Sequence, residues 1–295
     1  MPPRSLLAAV RHRIEWLALI AVVTLFRLIP VDAASAAMGF LWRSLAPFNK
    51  RHKRALKHLK VAFPEKSDVE CEAIARGMWS NLGRVAAETF HIDRLLVQDA
   101  RFEAVPDPET ERILASGSGC IFVSLHTGNW ELCVQPAVRQ GLAIAGVYQA
   151  LTNPRSDALL RSMRRDLYKA GLYSKGHQTA RKLIAILRQG GIVALMGDLR
   201  EVRGIQVPFF GRPAYATPVP ASLARSVGVP IIVGRVVRTR GVRFRVEGRC
   251  LHVPVTDDRQ DDIVQATAAI HALFEEWIRE HPDQWMWIHR KWATG

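Results

Sequence analysis

The stretch Cys120-Ile-Phe-Val-Ser-Leu-His-Thr-Gly-Asn-Trp-Glu-Leu132 ("CIFVSLHTGNWEL") decides how the chain is read. It opens as a short apolar run, partly β-branched and preceded by Gly119, the pattern of a strand buried on both faces. It then delivers His126, a glycine at position 128 and, five positions after the histidine, Glu131. A histidine titrates near neutral pH, and a carboxylate can fix its tautomer and stabilise the imidazolium that forms. If the chain turned from strand to helix at Thr127-Gly128-Asn129, Glu131 would lie in the first helical turn, able to fold back toward His126. Gly128 would permit the tight turn. The same spacing fits a plain helix start, with Thr127 or Asn129 as cap and His126 in the core.

Outward from this stretch, strand-like and helical segments alternate. "LAIAGVYQ", "IVALMGD", "PIIVGRVVR" and "RFRVEGR" read as strands. "SDVECEAIARGMWSNLGRVAAETF" has helical apolar spacing with Ser67 or Asp68 as cap. "NPRSDALLRSMRRDLYKAGL" reads as a helix ending near Gly171, "QTARKLIAILRQGG" as one closed by Gly190, and "PVPASLARSVGV" as a short one. "DIVQATAAIHALFEEWIREHPDQW" reads as a long C-terminal helix. The expected fold class is α/β: a single catalytic domain with a mixed, mostly parallel sheet flanked by helices, plus an N-terminal membrane-anchoring helix. Functional groups of such sheets gather at strand ends, and His126 and Asp198 both stand at predicted ones.

The N-terminus supplies the anchor expectation. Trp16 to Phe26 is apolar without a break, and Arg27 interrupts before "LIPVDAASAAMGFLW". A short span with Arg27 snorkelling, a cleaved signal peptide ending at Ala34-Ser-Ala36, and an interfacial helix all fit this pattern. The basic residues Arg43, Lys50, Arg51, Lys53, Arg54, Lys57 and Lys60 follow at once. Such a cluster stays on the cytoplasmic side and is drawn to anionic lipid. The favoured expectation is an uncleaved anchor over 1–42 and a cytoplasmic catalytic domain over 43–295.

Composition narrows the chemistry. The 295 residues carry 41 Lys and Arg against 27 Asp and Glu, a net charge of +14, which suits acidic partners. No nucleic-acid recognition module accompanies the charge. Cys71, Cys120, Cys133 and Cys250 form no C-x-x-C pair, so neither a zinc site nor a disulfide framework is expected. No G-x-S-x-G motif is present, so a His–carboxylate pair here must activate a substrate hydroxyl or a water.

Several motifs, in order, carry a resemblance. "HTGNWE" after an apolar strand looks like the H-x4-D/E signature of the lysophospholipid acyltransferase superfamily. The chain more closely resembles the bacterial lipid A biosynthesis (late) acyltransferases, through "AFPEKS" (Ala62–Ser67), "YQALTNPRSDALLRSMR" (Tyr148–Arg164), "GDLREVRGIQVPFFGRPAYATP" (Gly197–Pro218) and "HPDQWMWIHRKW" (His281–Trp292). It departs from that family at Gln149, often arginine, and at Asp198-Leu-Arg-Glu201, often Asp-Gln-Asp.

The resemblance implies a membrane-associated enzyme on the cytoplasmic face of a bacterial inner membrane. It would move a fatty acyl chain from acyl carrier protein to a hydroxyl of a lipid A precursor, without cofactor or metal. His126 and Glu131 would be the catalytic pair, with Glu131 orienting His126. Arg164, Asp198 and Asn129 would bind substrate, with Arg164 on an acceptor phosphate. Phe209, Phe210 and Gly211 would pack as a loop against the acyl tunnel, and Trp285, Trp287 and Trp292 would lie in the core. Anionic lipid would be a further partner. Other acceptors (a lysophospholipid, a glycolipid or a mannoside lipid), with coenzyme A as donor, would use the same chemistry.

Overall fold

A computed structural model describes residues 6–292. In chain order the helices are α1 (Leu6–Arg27), α2 (Val31–Leu45), α3 (Lys50–Ala62), α4 (Asp68–Thr89) and α5 (Ile92–Leu95). They continue with α6 (Pro108–Ser116), α7 (Gln135–Arg139), α8 (Pro154–Met163), α9 (His177–Arg188), α10 (Val219–Val227) and α11 (Arg259–Glu280). The strands are β1 (Phe102–Pro106), β2 (Cys120–Ser124), β3 (Ile144–Tyr148), β4 (Gly171–Ser174), β5 (Ile192–Met196), β6 (Ile205–Phe209), β7 (Arg212–Ala216), β8 (Ile231–Arg238) and β9 (Phe244–Leu251).

Seven strands form one sheet in the order β1-β9-β8-β2-β5-β3-β4. All neighbours run parallel except the β8–β9 hairpin, so the sheet is mixed and mostly parallel, as expected. β2 lies near the middle, paired to β5 on one side and β8 on the other. All five of its residues are buried, which is why Cys120-Ile-Phe-Val shows no polar alternation. One face packs Ile121 and Val123 with Phe274, Trp277 and Trp285. The other packs Cys120 and Phe122 with Ile92, Leu114 and Leu167.

Two expectations about elements are corrected. The helix expected to run to Gly171 ends at Met163, and Gly171 instead starts the edge strand β4. The segment Phe209–Gly211, expected as a loop, is the tip of a tight hairpin with Phe209 inside its first strand. β6 and β7 pair antiparallel with Phe209 opposite Arg212, leaving Phe210 and Gly211 as a two-residue turn, both at positive φ. Phe209 itself is wholly buried, its ring against Trp285 and Trp292. The three C-terminal tryptophans are core residues, as read from the sequence.

The N-terminal expectation also changes. No helix among the described residues is long and apolar enough to cross a membrane. Instead α1 lies against the α/β body. Arg27 pairs with Asp93 and donates to the Phe90 carbonyl at 2.6 Å, Asn153 Nδ2 donates to the His12 carbonyl, and Arg155 stacks on Trp16. The physical reason is the polar load within the helix: Arg11, His12, Arg13 and Glu15 precede the apolar run, and Arg27 closes it. α2 packs along α4 at close range; a Cβ on Gly83 would stand 2.4 Å from the Met38 carbonyl. The start of α4 follows the sequence reading, with Ser67 and Glu70 forming a reciprocal capping box.

Candidate active site

β2 and β5 are adjacent and in register, with Ser124 opposite Met196. Each strand then runs on two residues, and those residues are His126 and Asp198. The register therefore brings the two side chains together at the carboxyl ends of the central strands. His126 Nδ1 donates to Asp198 Oδ1 at 2.7 Å, and its backbone N–H donates to Oδ2 at 2.9 Å. The Trp285 indole N–H gives Oδ2 a further bond of 2.8 Å. With Nδ1 as donor, Nε2 is the free, proton-accepting nitrogen of the neutral ring.

Asp198 is 1% exposed. Burial alone would raise its pKa, but the His126 interactions, aided by Trp285, outweigh it and hold the carboxyl below the usual range. The anion is thus fixed and fully hydrogen-bonded, while the His126 side chain remains 13% exposed. Trp130 and His289 flank the imidazole, with ring centroids at 5.1 and 6.3 Å. Burial, with some help from His126, lowers the His289 pKa and favours its neutral form.

Glu131 does not meet His126 as expected. It sits in a 3-10 turn (Trp130–Leu132), and both its oxygens are engaged by Arg164, Nε at 2.7 Å and Nη2 at 2.5 Å. The turn is too short and too tight to aim a side chain back at position 126. The fork of Arg164 matches a carboxylate bidentately, and that partner wins. Burial lowers the Arg164 pKa, yet the Glu131 charge and bonds more than compensate, so the guanidinium stays charged.

Asn129, read as substrate-binding, is wholly buried and donates to Glu88 at 2.8 Å, so it braces the loop. Glu88 is itself buried, bound by the Arg238 fork and by the Ser35 hydroxyl. Gly128 completes this loop at φ 54°, where an added Cβ would lie 2.1 Å from the Val236 carbonyl. The glycine is required by close backbone approach as much as by its dihedral.

The structure thus brings together His126 with Asp198, and Glu131 with Arg164, where the sequence paired His126 with Glu131 and gave Arg164 and Asp198 to the substrate. Trp285, His289 and the Glu88–Arg238 pair lacked any site signal beyond the first two lying in the C-terminal motif. Among the described residues one cluster has ligand-like spacing for a metal, Glu109, Cys250 and His252. It belongs to the start of α6 and the end of β9, not to the strand ends that carry His126.

A mixed, mostly parallel sheet with a His–Asp pair at the ends of its central strands suits an enzyme that activates a substrate proton. The chain belongs to the family described as bacterial lipid A biosynthesis acyltransferase, which matches residues 4–294. It is 27% identical to the lipid A biosynthesis lauroyltransferase of Escherichia coli over 301 residues, covering 96% of this chain and 92% of that one. It is 26% identical to the phosphatidylinositol mannoside acyltransferase of Mycobacterium tuberculosis over 185 residues, 61% of this chain. The match spans 57% of that relative's length.

Proposed function

We propose that the protein transfers a fatty acyl chain from a thioester to a hydroxyl of a lipid acceptor, with His126 as general base. The observation that carries this reading is the His126–Asp198 pair, one ring nitrogen held by a buried carboxylate and the other left free. His126 Nε2 takes the acceptor hydroxyl proton, and the alkoxide oxygen attacks the thioester carbonyl. A C–O bond forms, the C–S bond breaks, and the leaving thiolate recovers the proton from the imidazolium. Asp198, in place of Glu131, fixes the ring and stabilises its charged form. Glu131 sets Arg164, and Arg164 binds substrate.

A lipid A precursor is the favoured acceptor, because the family and a relative matched over nearly its whole length both carry that name. Acyl carrier protein, an acidic donor, suits the net charge of +14. A mannoside lipid is the second reading, supported by the mycobacterial relative. The site of action is the cytoplasmic face of the bacterial inner membrane, reached by interfacial docking. Leu17 and Leu25 of α1, Leu28 just after it, and Phe40, Leu41, Leu45 and Phe48 just ahead of basic α3 are exposed.

Mass spectrometry of membrane lipids from a deletion strain, a His126→Ala strain and the parent tests the reading. Loss of one acyl chain from lipid A in both strains is expected. Unchanged lipid A with a missing chain on another lipid would move the acceptor to that lipid. Free fatty acid release by purified enzyme without transfer would make it a hydrolase.

A further inference from the structure

Against the backbone of Asp198 lies a buried cation that the mechanism above does not use. Lys291 is 1% exposed. Its ammonium donates to the Asp198 backbone carbonyl at 2.7 Å and to His271 Nε2 at 2.9 Å, and faces the Phe209 ring at 4.8 Å. Two of its N–H groups are thereby occupied by hydrogen bonds. His271, also 1% exposed, is bonded through Nδ1 to the Thr267 carbonyl at 3.0 Å. A carbonyl only accepts, so Nδ1 bears the proton and Nε2 is the acceptor for the lysine. Burial chiefly, then the Lys291 charge, brings His271 down to about 3, consistent with that neutral ring.

A buried ammonium without a carboxylate contact is costly to keep, and a methionine or leucine would fill the space more cheaply. Burial brings Lys291 down to about 8, so it still holds its proton at neutral pH, and Asp198 is the charge that favours this. The groups facing it are Asp198 from the end of β5, His271 from α11 and the Phe209 ring from β6. Those facing His126 are Asp198, Trp130 and His289.

We propose that Lys291 is a positioning residue for the acyl-transfer site: it clamps the Asp198 backbone and places a positive charge beside it, so that the carboxylate keeps its bond to His126 Nδ1. This rests on His126 being the base. The two parts of the clamp separate by substitution. Lys291→Met removes bond and charge. Lys291→Gln removes the charge and keeps an N–H donor for the Asp198 carbonyl.

The test is the proton NMR resonance of His126 Nδ1–H, the hydrogen of its bond to Asp198, in the folded wild type and both variants, beside kcat and KM for acyl transfer. The expected result is a resonance shifted or broadened by exchange in Lys291→Met, and shifted less in Lys291→Gln. At the pH optimum kcat should fall about tenfold or more in Lys291→Met at little-changed KM, with a smaller fall in Lys291→Gln. An unmoved Nδ1–H resonance in either folded variant overturns the proposal, as does a raised KM with unchanged kcat. If Lys291→Met does not fold, the Lys291→Gln spectrum decides alone. A wild type inactive on every thioester and lipid acceptor would sink the function reading, while the Nδ1–H resonance still decides the clamp.

Discussion

At the scale of single residues, the site is a neutral imidazole held by Asp198 beside an Arg164–Glu131 ion pair, and His126 does not take the partner that proximity in sequence suggests. His126 and Glu131 are five apart, but His126 and Asp198 share a sheet register, and the register wins. Asp198→Asn would keep the shape of the contact while removing the charge that fixes Nδ1–H. The expected loss in kcat is about 10²- to 10⁴-fold, measured by steady-state acyl transfer. His126→Ala with Asp198→Asn should cost little more than either change alone, since the two act as one unit. Glu131→Ala is expected to behave differently. It strips the counter-ion from Arg164, whose side chain is 20% exposed, and should destabilise the fold by about 3 kcal/mol. Thermal unfolding would show it as a fall of several degrees, even in protein that is never given substrate.

At the scale of elements, the N-terminal helices carry the largest revision. The apolar run from Trp16 to Phe26 looked like an anchor, yet α1 is held by Arg27 to Asp93 and by Asn153 to the His12 carbonyl. What stays exposed is a row that includes Phe40, Leu41, Leu45 and Phe48, running directly into the basic face of α3. Such a surface suits the headgroup boundary, where apolar side chains dip in and lysines meet anionic lipid. The protein should therefore co-sediment with vesicles containing anionic lipid and far less with zwitterionic ones. Raised salt should weaken binding. The double change Phe40→Asp, Phe48→Asp should release it without altering the fold, as both side chains are exposed. Retained binding in that variant would remove these residues from the membrane surface.

At the scale of the whole molecule, stability is set against acid by its buried imidazoles and carboxylates. His271 is held down to about 3 by burial, and burial also lowers His58, His91 and His289. In the unfolded chain these rings take protons near pH 6.5, so between that value and their folded values the unfolded state binds more protons. Their neutral burial supports the fold fully above pH 6.5, and that support drains away as pH falls below it. Asp198 and the Arg-paired carboxylates Asp32 and Asp93, all lowered, add a second loss that begins near pH 4. Thermal unfolding followed from pH 8 to 4 should show a midpoint that declines from about 6.5 downward and steepens near 4. A flat profile down to pH 5 would contradict the neutral burial of these histidines.

The sequence by itself determined the strands β2, β3, β5, β8 and β9, the capped start of α4, the mixed parallel sheet, and the placing of His126 and Asp198 at strand ends. Those are legible because apolar runs, helical spacing and caps act through residues close in the chain. Phe210-Gly211 as a two-residue turn, β4 at the sheet edge, and the resting place of α1 were not legible, since tertiary packing chose among locally acceptable options. The division of partners could be decided only in three dimensions. Which carboxylate reaches His126 depends on β2 lying beside β5 with Ser124 opposite Met196. Asp198 and Lys291 meet only because the C-terminal motif folds back against the end of that strand, 93 residues away in the chain.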